Sequence, residues 1–277
     1  MEERSGAAGG PPEVTGRTRL YAILADPIAH VKTPQTMHAL FARHGIDGVL
    51  VPMHVAPDDL AVTLDGLRGL RNFGGFIATV PHKGAMRDLC DEVSAEAEAI
   101  GAVNCVRRDP DGRMIGAMLD GTGFVEGLAS EGIDLDGRRV LLAGAGGAAS
   151  AIAFSVASRG AARLTIANRT VEKAERLAER VRAHYPGLEV SALGSDADPG
   201  AQEIVVNATS LGMRPDDPLP VPRSVLERAE VVAEVIMDPV ETPLLAAARA
   251  AGCRAHPGLP MLERQIELMA RHMGALT

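Results

Sequence analysis

The chain has no tryptophan, and aromatic residues make up only 3% of its 277 positions. Its core must therefore be filled by Ala, Val, Leu and Gly. Cysteine is also scarce. Cys90, Cys105 and Cys253 are far apart, odd in number and outside any CxxC or Cys/His cluster. That excludes a disulfide framework and a zinc site, and all three read as reduced thiols packed as small hydrophobes. No apolar run reaches the length of a membrane span. The opening "MEERSGAAGGPPEVTGR" lacks the apolar centre of a signal peptide and reads as a loose Gly/Pro-rich tail over 1–17. A soluble cytoplasmic protein is the expectation. A basic excess is missing too: 28 Lys and Arg stand against 36 Asp and Glu, a net charge of −8. A nucleic-acid footprint needs a basic face, so the expected partner is a small molecule, with neither nucleic acid nor membrane involved.

What is present is a globular composition, 46% hydrophobic and 23% charged, in a chain long enough for two domains. "LYAILA" (20–25), "GVLVPMHV" (48–55) and "FGGFIATV" (73–80) read as buried strands. Between them lie two helical segments. "TPQTMHALFARHG" has Thr33 as N-cap, Pro34 at the first helical position, Gly45 past the end, and Met37, Leu40, Phe41 and His44 on one face. "PDDLAVTLDGLRGL" (57–70) is the second helix. The pattern restarts near residue 138. "RRVLLAGAGGAASAIAFSVASRG" is strand, glycine turn and apolar helix, and "RLTIANR" is the next strand. "VEKAERLAERVRAHY" is a helix with Ala174, Leu177, Ala178 and Val181 inward. "EIVVNAT" (203–209) and "VVAEVIM" (231–237) are strands, and "TPLLAAARAAG" is a helix capped by Thr242. Strands alternating with helices predict an α/β fold of two domains with mostly parallel sheets, joined near 120–137.

"GAGGAA" (144–149) follows a strand, opens a helix and sits in a βαβ unit. In that context Gly144 serves the tight turn, Gly146 the approach of a pyrophosphate, and Ala149 the packing of helix on strand. The helix N-terminus offers N–H groups to phosphate. The competing reading is a bare strand–helix turn. A site for NAD would place an acid at the end of the next strand. Here stand Asn168, Arg169 and Thr170, with Lys173 one turn on. An acid would repel a 2′-phosphate, whereas an arginine fork grips one. The predicted cofactor is NADP.

"TVPHKG" places Lys83 where the chain leaves a strand, the end at which open α/β sheets bind ligands. "AMLDGTGF" places Asp120 in a glycine-rich turn at the domain junction. A lysine and an aspartate in a cleft can move a proton while hydride moves to or from nicotinamide. Either residue alone is as readily a surface charge.

With these pieces in order, the chain resembles the shikimate/quinate dehydrogenase family. The likeness runs from about Tyr21 to the C-terminus through "ADPIAHVKTPQTMH", "GFIATVPHK", "IGAVNC", "GAMLDGTGF", "GAGGAA", "ANRT", "VVNATSLGM", "DPVETPLL" and "GLPMLERQ". The resemblance implies that Lys83 and Asp120 are the catalytic pair. It implies that Asn104 and Gln265 hydrogen-bond substrate hydroxyls and that Thr79 lines the pocket. It assigns Gly147, Ala148, Asn207, Thr209 and Gly258, with the residues above, to the cofactor. It also implies a substrate-binding domain over 18–120, a Rossmann-type dinucleotide domain over 121–258, and a C-terminal helix (259–277) folding back onto the first. The family supplies both monomers and homodimers.

The departures share a direction. The family's "HSxSP", whose serines bind the substrate carboxylate, is "HVKTP", with Val31 and Thr33 in their places. A tyrosine that completes the carboxylate site is Met237, an asparagine is Ile77, and "NTD" is Met118-Leu119-Asp120. Each unsatisfied partner of a buried carboxylate costs about 1–3 kcal/mol, so two lost hydroxyls predict roughly two to four decades of affinity. The expected function is an NADP-dependent oxidoreductase of the shikimate dehydrogenase type, acting on an alicyclic alcohol or ketone: shikimate, or a less polar relative. A quinate-type dehydrogenase and a non-catalytic NADP-binding sensor are the alternatives.

Overall fold

The computed structural model describes residues 13–29 and 31–277. Most of the expected tail (residues 1–12) lies outside them. The chain divides into two compact α/β units that interleave along the sequence. One comprises residues up to Val93, Val103–Gly116 and Met269–Thr277; the other comprises Ser94–Ala102 and Ala117–Leu268. The sequence reading placed one boundary after residue 120 and returned a C-terminal helix (259–277) to the first domain, without the exchange of Ser94–Ala102 into the second unit. Among the described residues no helix is long and apolar enough to cross a membrane.

The first unit starts as βαβαβ: β1 (Arg19–Ala25), α1 (Thr33–His44), β2 (Gly48–His54), α2 (Leu60–Arg68) and β3 (Phe73–Ala78). It continues through α3 (Lys83–Leu89) and β4 (Glu92–Val93). After α4 (Ala95–Ile100), which belongs to the second unit, come β5 (Cys105–Arg108) and β6 (Met114–Ala117). The sheet order is β2-β1-β3-β5-β6-β4. β1 runs parallel to β2 and β3, but β5 pairs antiparallel with β3. α1 buries Met37, Leu40 and Phe41 against this sheet, each contributing about 1.5–3 kcal/mol. Two expectations for α1 need correction. Thr33 is its first residue and makes no capping bond, Lys32 being at the cap position. His44 is exposed near the helix end, while His38 accepts from the Leu50 N–H. Gly45 closes the helix at φ 63°, as a left-handed C-cap should.

The second unit holds α4, α5 (Asp120–Ser130), β7 (Arg139–Ala143), α6 (Gly147–Ser158), β8 (Arg163–Asn168), α7 (Val171–His184) and β9 (Glu189–Gly194). Then follow β10 (Ile204–Asn207), α8 (Arg223–Leu226), β11 (Val231–Glu234), α9 (Pro243–Ala250), β12 (Arg254–His256) and α10 (Leu259–His272), whose last turn falls in the first unit. The sheet order is β12-β11-β10-β7-β8-β9, parallel throughout. This is a doubly wound Rossmann-type sheet, and its four central strands, β11, β10, β7 and β8, are the largely apolar, buried runs expected of strands covered on both faces. The amphipathic α7 buries Ala174, Leu177, Ala178 and Val181, and Thr242 caps α9 by accepting from the Leu245 N–H. The glycine-rich turn expected over 117–124 gives way at Asp120 to α5. Its glycines do not break it because Gly121, Gly123 and Gly127 lie buried in packed surfaces, where a side chain would clash.

Candidate active site

Open α/β sheets bind ligands beyond the carboxyl ends of the strands, where the strand order reverses. In the second unit this point lies between β7 and β10. Gly144 leaves β7 at φ 117°, and a Cβ on it would lie 2.7 Å from the Ala208 carbonyl oxygen, so only glycine fits. Gly146 and Gly147 are exposed, with open space where their side chains would be. No side chain caps α6, so its first N–H groups are left without a helical partner beside the cavity wall at Gly146. Ala149 is fully buried beneath the turn.

A cavity of about 750 Å3 opens here, of the size that holds a cofactor. Gly144 and Gly146 form one wall; Asn168, Arg169, Thr170 and Lys173 form another. Asn168 braces its loop by donating to the Thr170 carbonyl at 2.9 Å, while Arg169 and Lys173 are exposed. Uncapped helix donors beside two cations and two hydroxyl or amide groups suit a pyrophosphate with a second phosphate on the ribose. The donor set therefore fits NADP. Thr209 also lines the cavity, but Gly147, Ala148, Asn207 and Gly258 are not in its lining. Asn207 is fully buried, its amide committed to Glu234, Thr209 and Leu211, so its side chain is not available to a cofactor. Gly258 packs on the Ile236 backbone, where a Cβ would come within 2.5 Å of the carbonyl oxygen.

The sequence reading missed Ser195, Asp196, Ser210, Leu211 and the Pro218–Pro222 wall of this cavity. The first two follow β9, a short strand of mixed polarity that escaped notice. Its signal was its place in the alternation, directly after the amphipathic α7. Also missed was Glu234, a lone acid in the apolar run "VVAEVI" and fully buried at the end of β11.

The first unit's reversal lies between β1 and β3. The Thr79 N–H donates to Leu24 and the Asp26 N–H to Val80, closing the two strand ends together. Thr79, half-buried, leads into α3, where the His82 N–H donates back to the Thr79 carbonyl at 2.7 Å. Lys83 is the first residue of α3, and its carbonyl accepts from the Val103 N–H at 2.9 Å. The buried Asn104 is adjacent, its carbonyl accepting from the Ala78 N–H at 2.9 Å. Antiparallel pairing of β5 thus brings Asn104 to the end of β3 that carries Thr79 and Lys83. Val31 and Thr33 lie between β1 and α1, both half-buried.

Asp120, at the start of α5, is buried and accepts a hydrogen bond from the Gln265 amide. Gly123 makes this possible, because a Cβ there would come within 2.9 Å of Gln265. Met237 is exposed beyond β11. Two of the apolar departures noted above, Ile77 and Met118, are buried at 4% and 1% exposure, so they serve the packing of their units.

Residues 23–106 match the family model of the shikimate dehydrogenase substrate binding domain, and residues 127–211 that of shikimate/quinate 5-dehydrogenase. The NADP(+) shikimate dehydrogenase of Rubrobacter xylanophilus is 40% identical over 91% of this chain and 89% of its own length. Among solved structures, the 5-ketofructose reductase of a Gluconobacter strain superposes with a TM-score of 0.86 at 34% identity, covering 93% of each chain. The Thermus thermophilus shikimate 5-dehydrogenase, solved with NADP(H) and shikimate, gives 0.80 at 33% identity over 94% of each. With an identity of this level across nine-tenths of its length, the chain belongs to the shikimate/quinate dehydrogenase family.

Proposed function

We propose that this protein is an NADP-dependent oxidoreductase of the shikimate dehydrogenase type, reducing a ring ketone to an alcohol or running the reverse. The observation that carries the reading is one cavity in which an open glycine turn and an uncapped helix face Asn168, Arg169, Thr170 and Lys173. NADPH bound there supplies the hydride. The chain's own residues supply the rest. Lys83 and Asp120 give and take the proton at the substrate oxygen. Asn104, Gln265 and Thr79 hold substrate hydroxyls, with Thr33 toward the far end of the ring. Gln265 already donates to Asp120, which orients that carboxylate. In this reading the first unit supplies Lys83, Asn104, Thr79 and Thr33 to the substrate, and the second supplies the cofactor site with Asp120 and Gln265. Three free thiols, two of them buried, suit the reducing cytoplasm, and gel filtration separates monomer from homodimer.

Shikimate and 3-dehydroshikimate are the first candidates, because the Rubrobacter and Thermus relatives are shikimate dehydrogenases by name. A second reading has an observation of its own. Val31 and Met237 stand where a carboxylate would need hydroxyl donors, and neither can donate. A less polar relative, a polyhydroxy ketone without the carboxylate, needs no such donors, and one similar structure is a 5-ketofructose reductase. The test is NADPH oxidation with 3-dehydroshikimate, 3-dehydroquinate and 5-ketofructose. Turnover of 3-dehydroshikimate at a high KM supports the first reading, and preference for 5-ketofructose the second. Preference for 3-dehydroquinate marks a quinate-type enzyme. NADPH binding with no turnover on any ketone overturns the assignment as an enzyme and leaves a sensor.

A further inference from the structure

Glu234 is fully buried, ends β11 and pairs in register with Asn207 of β10. Every hydrogen-bonding contact it makes is with a donor. Its Oε1 accepts from the backbone N–H groups of Val235 at 2.9 Å and Ile236 at 3.1 Å. Its Oε2 accepts from the Thr242 hydroxyl at 3.1 Å. The Asn207 Nδ2 stands 3.0 Å from both oxygens. Burial pushes the carboxyl pKa up; the hydrogen bonds, that from Asn207 first, pull it back.

Burying a charge is costly, and a packed neutral side chain can serve a fold as well. The carboxylate does one thing a packed apolar group would not. Together with the Thr209 N–H and the Leu211 carbonyl, it fixes which way the Asn207 amide faces. Against a carboxylate the NH2 must turn inward, so Asn207 Oδ1 turns outward. There it accepts from the Thr209 N–H at 3.0 Å and the Thr209 hydroxyl at 2.7 Å. The Thr209 hydroxyl in turn accepts from the Leu211 N–H at 3.0 Å, and Asn207 Nδ2 also donates to the Leu211 carbonyl at 2.9 Å. A flipped amide would set its NH2 against the Thr209 N–H, donor to donor. The turn so fixed, Ala208–Leu211, lines the cavity and abuts Gly144.

We propose that Glu234 is a positioning residue for the cofactor: its buried carboxylate locks the Asn207 amide and through it the Ala208–Leu211 wall of the cavity. This rests on the cavity being the NADP site.

The test uses Glu234→Gln and the double variant Glu234→Gln/Asn207→Asp, in the full chain. The single change keeps shape but removes the charge that helps hold the Asn207 NH2 inward. The double change moves the carboxylate to position 207, where one oxygen again accepts from Thr209 and the other from the new amide at position 234, while the bond to the Leu211 carbonyl is lost. The readouts are NADPH affinity by fluorescence titration and the separate KM values for NADPH and ketone. The expected result is an NADPH Kd about tenfold weaker in the single variant, with KM for the ketone unmoved, and recovery to within about threefold of the parent in the double. Unchanged NADPH affinity in Glu234→Gln, or a double variant no better than the single, overturns the proposal. If the single variant does not fold, the double decides alone: folding with near-parental affinity supports the proposal, and failure to fold or bind overturns it. An unmodified protein that binds no NADPH would instead sink the cofactor assignment itself.

Discussion

The two units solve the same problem, a site beyond the carboxyl edge of a sheet, with different materials. The second unit builds its candidate site from backbone: a glycine turn at a conformation other residues avoid, the open end of a helix, and the Ala208–Leu211 turn, hydrogen-bonded to the buried Asn207. Its charged groups, Arg169 and Lys173, stay exposed. The first unit builds from side chains drawn from distant parts of the chain and joined through backbone hydrogen bonds, with Asn104 set beside Thr79 and Lys83 by an antiparallel strand. A cofactor shared by many enzymes can be read by backbone. A particular substrate needs particular side chains, and in this chain it is at that end that residues depart from the family pattern.

The sharpest way to break this contrast is Lys83→Ala. If Lys83 of the first unit contributes to the chemistry and not to cofactor binding, kcat should fall by about a hundredfold or more while NADPH affinity stays within about twofold. Steady-state kinetics with a parallel titration measure both, and a joint fall in both would erase the division of labour. A smaller effect sharpens the contrast at the substrate end. Val31→Ser with Met237→Tyr should raise kcat/KM for shikimate by about a decade, mainly through KM, the worth of one recovered hydrogen bond to a charged group. No gain would place carboxylate recognition elsewhere.

The same contrast governs what the sequence discloses. The glycine turn, the polar end of β8 and the inward face of α7 are local patterns, and the second unit's sheet follows from them. β3, β1 and β2 were legible for the same reason. Lys83 and Asn104 were not legible as neighbours, because the pairing of Ile77 with Cys105 that joins them is non-local. Their roles came from family resemblance. Asp120 was misplaced in a turn because "DGTGF" carries turn residues; close packing overrode the propensity of glycine and made a helix. Asn207 was assigned to the cofactor by the family resemblance of "VVNATSLGM". Its burial against Glu234 depends on a cross-strand register that no short window contains.

The claim on which the rest depends is that the cavity beside Gly144 reads the 2′-phosphate of NADP through the segment after β8. Fluorescence titration of the protein and its Arg169→Ala variant with NADPH and NADH tests it directly. The account predicts that NADPH binds about tenfold or more tighter than NADH, and that Arg169→Ala removes most of that difference by weakening NADPH alone. Equal affinities for the two cofactors in the unmodified protein would contradict it.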